Sequence, residues 1–217
     1  MAHRRKPLAR ALALNTAVLL VEIAGGISAN SMSLIMDGVH NLSDEAALAL
    51  LLLAYYLRVG LSGRFVRLAN LFNSIGLVTV CSFLVWQTLE RLSRPVPVLG
   101  LVPVLAGLLG AVGNWGVAHV LRAHAPDDVS IRLAYVHNLG DTLLSLAPVA
   151  AGSLILVSGR SFFDPIVALM IAGFILVTTV SSLAGSHRDL LWPENVVCGH
   201  SDETGVPQPN QDPLASA

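Results

Sequence analysis

Charged residues are scarce in this chain. They make up 12% of its 217 residues, about half the share in a soluble globular domain. Lysine is nearly missing, since Lys6 is the single one among 13 basic residues. The net charge of −1 lacks the basic excess of a nucleic-acid-binding surface, so no nucleic-acid partner is expected. Cysteine is sparse too: Cys81 lies in an apolar run and Cys198 in a polar one. The two make neither a CxxC pair nor a disulfide framework. What is abundant is apolar surface, because 54% of the residues are hydrophobic. A chain so composed belongs in a membrane.

A membrane-spanning helix needs about 20 mostly apolar residues. Six segments qualify, at 8–28, 32–57, 68–91, 98–121, 130–157 and 165–185. His3, Arg4, Arg5 and Lys6 before the first run have the look of a signal peptide. More runs of the same kind follow, so the first is read as a retained helix. Gly25-Gly26 to Asn30-Ser31, then Arg58 to Arg67, Arg94-Pro95, Ala125 to Asp128 and Ser158 to Arg160 punctuate the runs. Asp164-Pro165 reads as a cap and a first-turn proline opening the last helix. The expected organisation is a short N-terminus at 1–7, a six-helix unit at 8–190 and a disordered tail at 191–217.

Basic residues set the orientation of such a chain. An even number of spans puts both ends on one side, which then gathers 10 of the 13 basic residues. The other side keeps Arg91, Arg94 and Arg160. Both termini are therefore expected in the cytoplasm. Helix two then runs inward and helix five outward.

One hexapeptide occurs almost letter for letter in both of those helices. Val39-His40-Asn41-Leu42-Ser43-Asp44 returns as Val136-His137-Asn138-Leu139-Gly140-Asp141. A histidine and an aspartate four apart share one face of a helix. Ionisable groups at bilayer depth are costly and mark ion pathways. His40, Asp44, His137 and Asp141 together offer two nitrogens and two oxygens, a set suited to zinc, with cadmium, cobalt, manganese or iron as alternatives. The two carboxylates balance a divalent ion. A structural use as two interhelical hydrogen bonds would return only about 0.6 kcal/mol each. Asp37 shares the face of His40 one turn away, and Glu22 lies within helix one. Either can serve an access path or the outer shell of the site. Glu45 points about 100° from Asp44, toward a neighbouring helix. Asn73 and Asn114 read as packing groups, His119 and His124 as part of a loop, and Gly107, Gly110 and Gly113 as close helix contacts.

The run from Ser31 to Asp44 resembles the second helix of the cation diffusion facilitator family. Arg132 to Asp141 is similar to its fifth helix, and Asp164 to Leu169 to the start of its sixth. This resemblance implies an all-α membrane protein of six helices, with the metal held among the first, second, fourth and fifth. It assigns the four ligands to His40, Asp44, His137 and Asp141. It also implies efflux of zinc or a similar divalent ion in exchange for protons, usually by a homodimer in the cytoplasmic membrane. Zinc requires neutral imidazoles and ionised carboxylates, so metal and protons exclude each other at such a site. Most members end in a cytoplasmic domain, which this short chain is expected to lack. Two other functions compete with transport. A membrane scaffold or metal sensor would bind without moving the ion. An intramembrane hydrolase would need an open metal position, and this chain has four candidate ligands and no HExxH motif.

Overall fold

A computed structural model describes the backbone of residues 2–57, 63–126 and 129–185, and the side chains of 6–53, 71–126 and 131–181. The expected turn at Arg58–Gly60, Asp127–Asp128 and the tail at 191–217 lie outside these residues. The described chain is all-helical: α1 (Ala2–Ala29), α2 (Met32–Leu57), α3 (Gly63–Ser93), α4 (Leu101–Arg122), α5 (Val129–Leu144), α6 (Leu146–Ser158) and α7 (Phe163–Gly185).

The single helix expected over 130–157 is two helices, broken at Ser145. Pro148 explains the break. It has no N–H to give to the carbonyl of Leu144, and its ring crowds that carbonyl. Together α5 and α6 still make one crossing, over Ile131–Ser158. The apolar stretches in α1, α3, α4 and α7 are likewise long enough to cross, which makes five such crossings among the described residues. The helix α2 is 26 residues long but carries Asp37, Asp44 and Glu45. Leu20, Phe72, Trp86, Val157 and Met170 are mostly exposed. Outward apolar surface of this extent suits a hydrocarbon solvent. This is a multi-pass membrane protein.

Helix α2 joins two cores. Its first half packs Met32, Met36 and Val39 on Cys81 and Leu84 of α3 and on Ala168, Ile171, Ala172 and Ile175 of α7. Its second half packs Leu48 and Leu51 on Leu8 and Ala11 of α1, Val117 and Leu121 of α4 and Ile131 of α5. His40 and Asp44 fall where α2 passes from one core to the other.

Between α1 and α2, Asn30 adopts a left-handed conformation with φ 57°. Ser31 N–H donates to Gly26 O at 2.9 Å and Asn30 N–H to Ile27 O at 3.3 Å, the paired bonds of a Schellman ending. Ser31 then caps α2, its Oγ accepting from Leu34 N–H at 3.3 Å. Arg91 braces this corner by donating to Asn30 O at 2.6 Å.

Asp164 departs from its expected role. Helix α7 already begins at Phe163, so Asp164 lies inside its first turn, and its carboxylate turns to the start of α2. Ser31 Oγ and Ser33 Oγ each donate to Asp164 Oδ1 at 2.6 Å. Met32 N–H donates to Oδ2 at 2.6 Å and Ser33 N–H to Oδ1 at 3.3 Å. A fully buried carboxylate thus meets the positive end of a neighbouring helix.

Candidate metal site

The i, i+4 spacing in each hexapeptide puts a histidine and an aspartate on one face, and the bundle turns the two faces toward each other. The pairing is crossed. His40 Nε2 lies 3.1 Å from Asp141 Oδ1, and His137 Nε2 lies 2.7 Å from Asp44 Oδ1. Within each helix the separations are longer, 3.9 Å for His40–Asp44 and 3.6 Å for His137–Asp141. One ligand atom from each residue lies within 4.8 Å of all the others. Tetrahedral bonds of about 2.0–2.1 Å to zinc would place ligand atoms about 3.3 Å apart. The four nitrogen–oxygen distances bracket that value, so the four side chains are spaced for one ion to draw them together. His40, Asp44 and Asp141 are buried, whereas the His137 side chain is 50% exposed, which leaves the site open on the α5 side.

Helix α5 packs mainly on α4, and α2 mainly on α1, α7 and α3. The two helices are thus held by different neighbours, and the His–Asp pairs bridge them. Asp44 Oδ2, Asp141 Oδ2 and His40 Nδ1 are buried without a hydrogen-bond partner. Unsatisfied buried carboxylate oxygens are costly, and a cation between them would remove that cost.

The other singled-out residues separate clearly. Asp37 does not orient the His40 ring, since His40 Nδ1 has no partner. It approaches Glu22 and Ser145 instead. Asn41 Nδ2 donates to Glu22 Oε2 at 2.5 Å, so α1 grips α2 beside His40 and Asp44. Glu45 faces α1, accepting from Asn15 Nδ2 at 3.0 Å and from Thr16 Oγ1. Asn73 donates to Ser43 Oγ at 2.8 Å, and Asn114 to Ser145 Oγ at 3.1 Å. Exposed His119 stacks on Trp115.

Gly107, Gly110 and Gly113 do lie at close helix contacts. A Cβ at Gly107 would meet the Ser145 carbonyl at 3.0 Å, while one at Gly110 would strike Glu22 Oε1 and one at Gly113 Val18. Gly110→Val is expected to cost about 1–3 kcal/mol by overpacking, read as a lowered melting temperature of the purified protein. An unchanged melting temperature would show that α1 and α4 can separate here without loss.

Sequence reasoning passed over Asn41 and Ser145. Asn41 was visible as the invariant third letter of the hexapeptide, and Ser145 as the residue three before Pro148.

A bundle of membrane-crossing helices that brings two histidines and two aspartates together, three of the four buried, defines a multi-pass membrane protein with a candidate site for a divalent cation. Residues 8–191 match the cation efflux transmembrane domain, and the chain belongs to the cation efflux family. It is 30% identical over 200 residues to the zinc transporter ZitB of Escherichia coli strain K12, covering 87% of this chain and 63% of that protein. ZitB of Pectobacterium atrosepticum is 29% identical over 202 residues, covering 86% and 61%. The cadmium, cobalt and zinc/H(+)-K(+) antiporter of Bacillus subtilis is 28% identical over 193 residues, covering 83% and 62%. The chain thus spans less than two thirds of the length of these relatives. They are transporters, not enzymes.

Proposed function

We propose that this chain moves a divalent metal cation, zinc foremost, out of the cytoplasm in exchange for protons. The observation that carries this reading is the crossed cluster of His40, Asp44, His137 and Asp141, with its ligand atoms within 4.8 Å of one another. Four ligands of this kind favour a closed site over a catalytic one. The matched relatives, a zinc transporter and a cadmium, cobalt and zinc antiporter, support the same cargo.

In this reading all six crossings span the cytoplasmic membrane, with both termini inside. Residues 8–190 form the transport unit, 1–7 and 191–217 are cytoplasmic flanks, and two copies associate. Zinc enters when both imidazoles are neutral and both carboxylates ionised. Protons displace it on the other side, because an imidazole has an ordinary pKa of about 6.5 and changes charge within physiological range. Separate packing of α2 and α5 supports alternating access, in which the bundle rocks around a site whose ligands stay in place.

Purified protein in vesicles tests this directly. Zinc uptake into vesicles with an acidic lumen is expected to exceed uptake without a gradient several-fold. Uptake indifferent to the gradient would remove proton coupling. Binding without any flux would convert the chain into a sensor or scaffold.

A further inference from the structure

A second group of polar side chains lies beside the His–Asp cluster, and none of its members is a ligand there. Glu22 of α1 is 0% exposed, Asp37 of α2 1%, Asn114 of α4 0% and Ser145, at the α5–α6 break, 0%. Each of the first three carries one buried oxygen with no hydrogen-bond partner: Glu22 Oε1, Asp37 Oδ2 and Asn114 Oδ1. They share one locality. A Cβ at Gly38, next to Asp37, would meet Glu22 Cβ at 3.3 Å; Asn41, one turn after Asp37 on the same face of α2, donates to Glu22; and Asn114 Nδ2 donates to Ser145 Oγ at 3.1 Å. Glu22 Oε1 occupies the space that the missing side chain of Gly110 leaves, with Ser145 on the same side of that glycine.

No lysine or arginine among the described residues forms an ion pair with either carboxylate. Glu22 has one amide donor, from Asn41. Two ionised carboxylates side by side in a bilayer-depth interior are prohibitive unless a metal cation or protons neutralise them. Where other helix pairs of this bundle use an acid, donors meet it: Asp164 accepts from Ser31, Met32 and Ser33, and Glu45 from Asn15 and Thr16. Packing alone would not call for two acids.

We propose that Glu22 and Asp37, with Asn114 and Ser145 completing the oxygen set, form a second site for the transported divalent cation. Its ligands are all oxygen, which for a transition metal makes it weaker than the nitrogen-containing cluster. Asp37 is three residues N-terminal to His40, a displacement of about 4.5 Å along α2. On the orientation adopted under the proposed function, that displacement points outward, and the site receives the ion as the His–Asp cluster releases it. The efflux reading supplies only this direction.

Binding stoichiometry tests the site without transport. The purified full chain, dialysed against Co²⁺, is expected to hold about two ions at saturation, one tight and one weak. Glu22→Gln combined with Asp37→Asn keeps volume while removing both charges, and is expected to lower the count to about one, with the tight ion retained. His40→Ala combined with His137→Ala should lose the tight ion and keep the weak one. A native chain that saturates at one ion, as it would if the pair held protons only, overturns the proposal. So does a Glu22/Asp37 variant that still holds both.

Should that variant fail to fold, Co²⁺ titration of the native chain decides. A tetrahedral N₂O₂ ion absorbs strongly in the visible and an oxygen-only ion weakly, so two spectral phases are expected and one phase overturns the site. A chain that binds one ion and transports it would sink this second site and leave efflux standing. A chain that binds two and transports none would do the reverse.

Discussion

Asp44→Ala and Asp141→Ala should each weaken metal binding by more than about 100-fold, the upper end of what losing an outer-shell partner alone costs. The reason is the crossed pairing. Asp44 approaches His137 at 2.7 Å and Asp141 approaches His40 at 3.1 Å, so each substitution removes one candidate ligand and strands the imidazole of the opposite helix. It also leaves a single negative charge facing a divalent ion. Both substitutions should therefore give similar losses, although one lies on α2 and the other on α5. Combining them should cost much less than the sum of the two, as expected for groups acting as one unit. Asn at either position keeps a neutral oxygen and should fall between Ala and the native residue. Equilibrium binding of Zn²⁺ to the purified protein measures all of these. Native affinity in either alanine variant would remove these side chains from the site.

The second large effect is on stability. Asp164→Ala is expected to destabilise the protein by roughly 2–4 kcal/mol, since four donors at the start of α2 lose a buried charged acceptor. For a chain of this size the melting temperature should fall by roughly 5–15 °C. Asp164→Asn should recover little, because its NH₂ group would confront donors. Metal affinity in Asp164→Asn should change far less than in Asp44→Ala, because Asp164 engages Ser31–Ser33 and not the turns that carry His40 and Asp44. A melting temperature equal to that of the native protein would show that water or another group replaces the carboxylate at no cost.

Much of the site was legible in the sequence because its spacing is local. The i, i+4 step from His40 to Asp44, and again from His137 to Asp141, follows from 3.6 residues per turn whatever surrounds the helix. Acids and imidazoles inside apolar runs have few uses, which singled out these four side chains before any fold was known. The helical class followed equally from the length of the apolar runs, because a spanning helix needs about 20 such residues and a barrel strand only about 10.

Residues whose role depends on a neighbouring helix were read less well. Asp164 looked like the cap of its own helix, since Asp before Pro has that local meaning. It caps α2 because packing brings the start of α7 against Ser31–Ser33. Pro148 marked a break near Ser145, but only the packing of the broken helix put Ser145 next to Asn114. Glu22 could have faced any neighbour, and it is Gly110, 88 residues later, that leaves room for its carboxylate.

The sequence by itself determined the solvent of this protein, its helical class and the four side chains able to hold a divalent ion, because each depends on composition or on one turn of helix. Tertiary structure alone decided the crossed His–Asp pairing, the grip of Asp164 on α2 and the meeting of Glu22 with Asp37. Those contacts join residues on different helices, and which helix faces which is set by the packing of whole faces, a property no local spacing encodes.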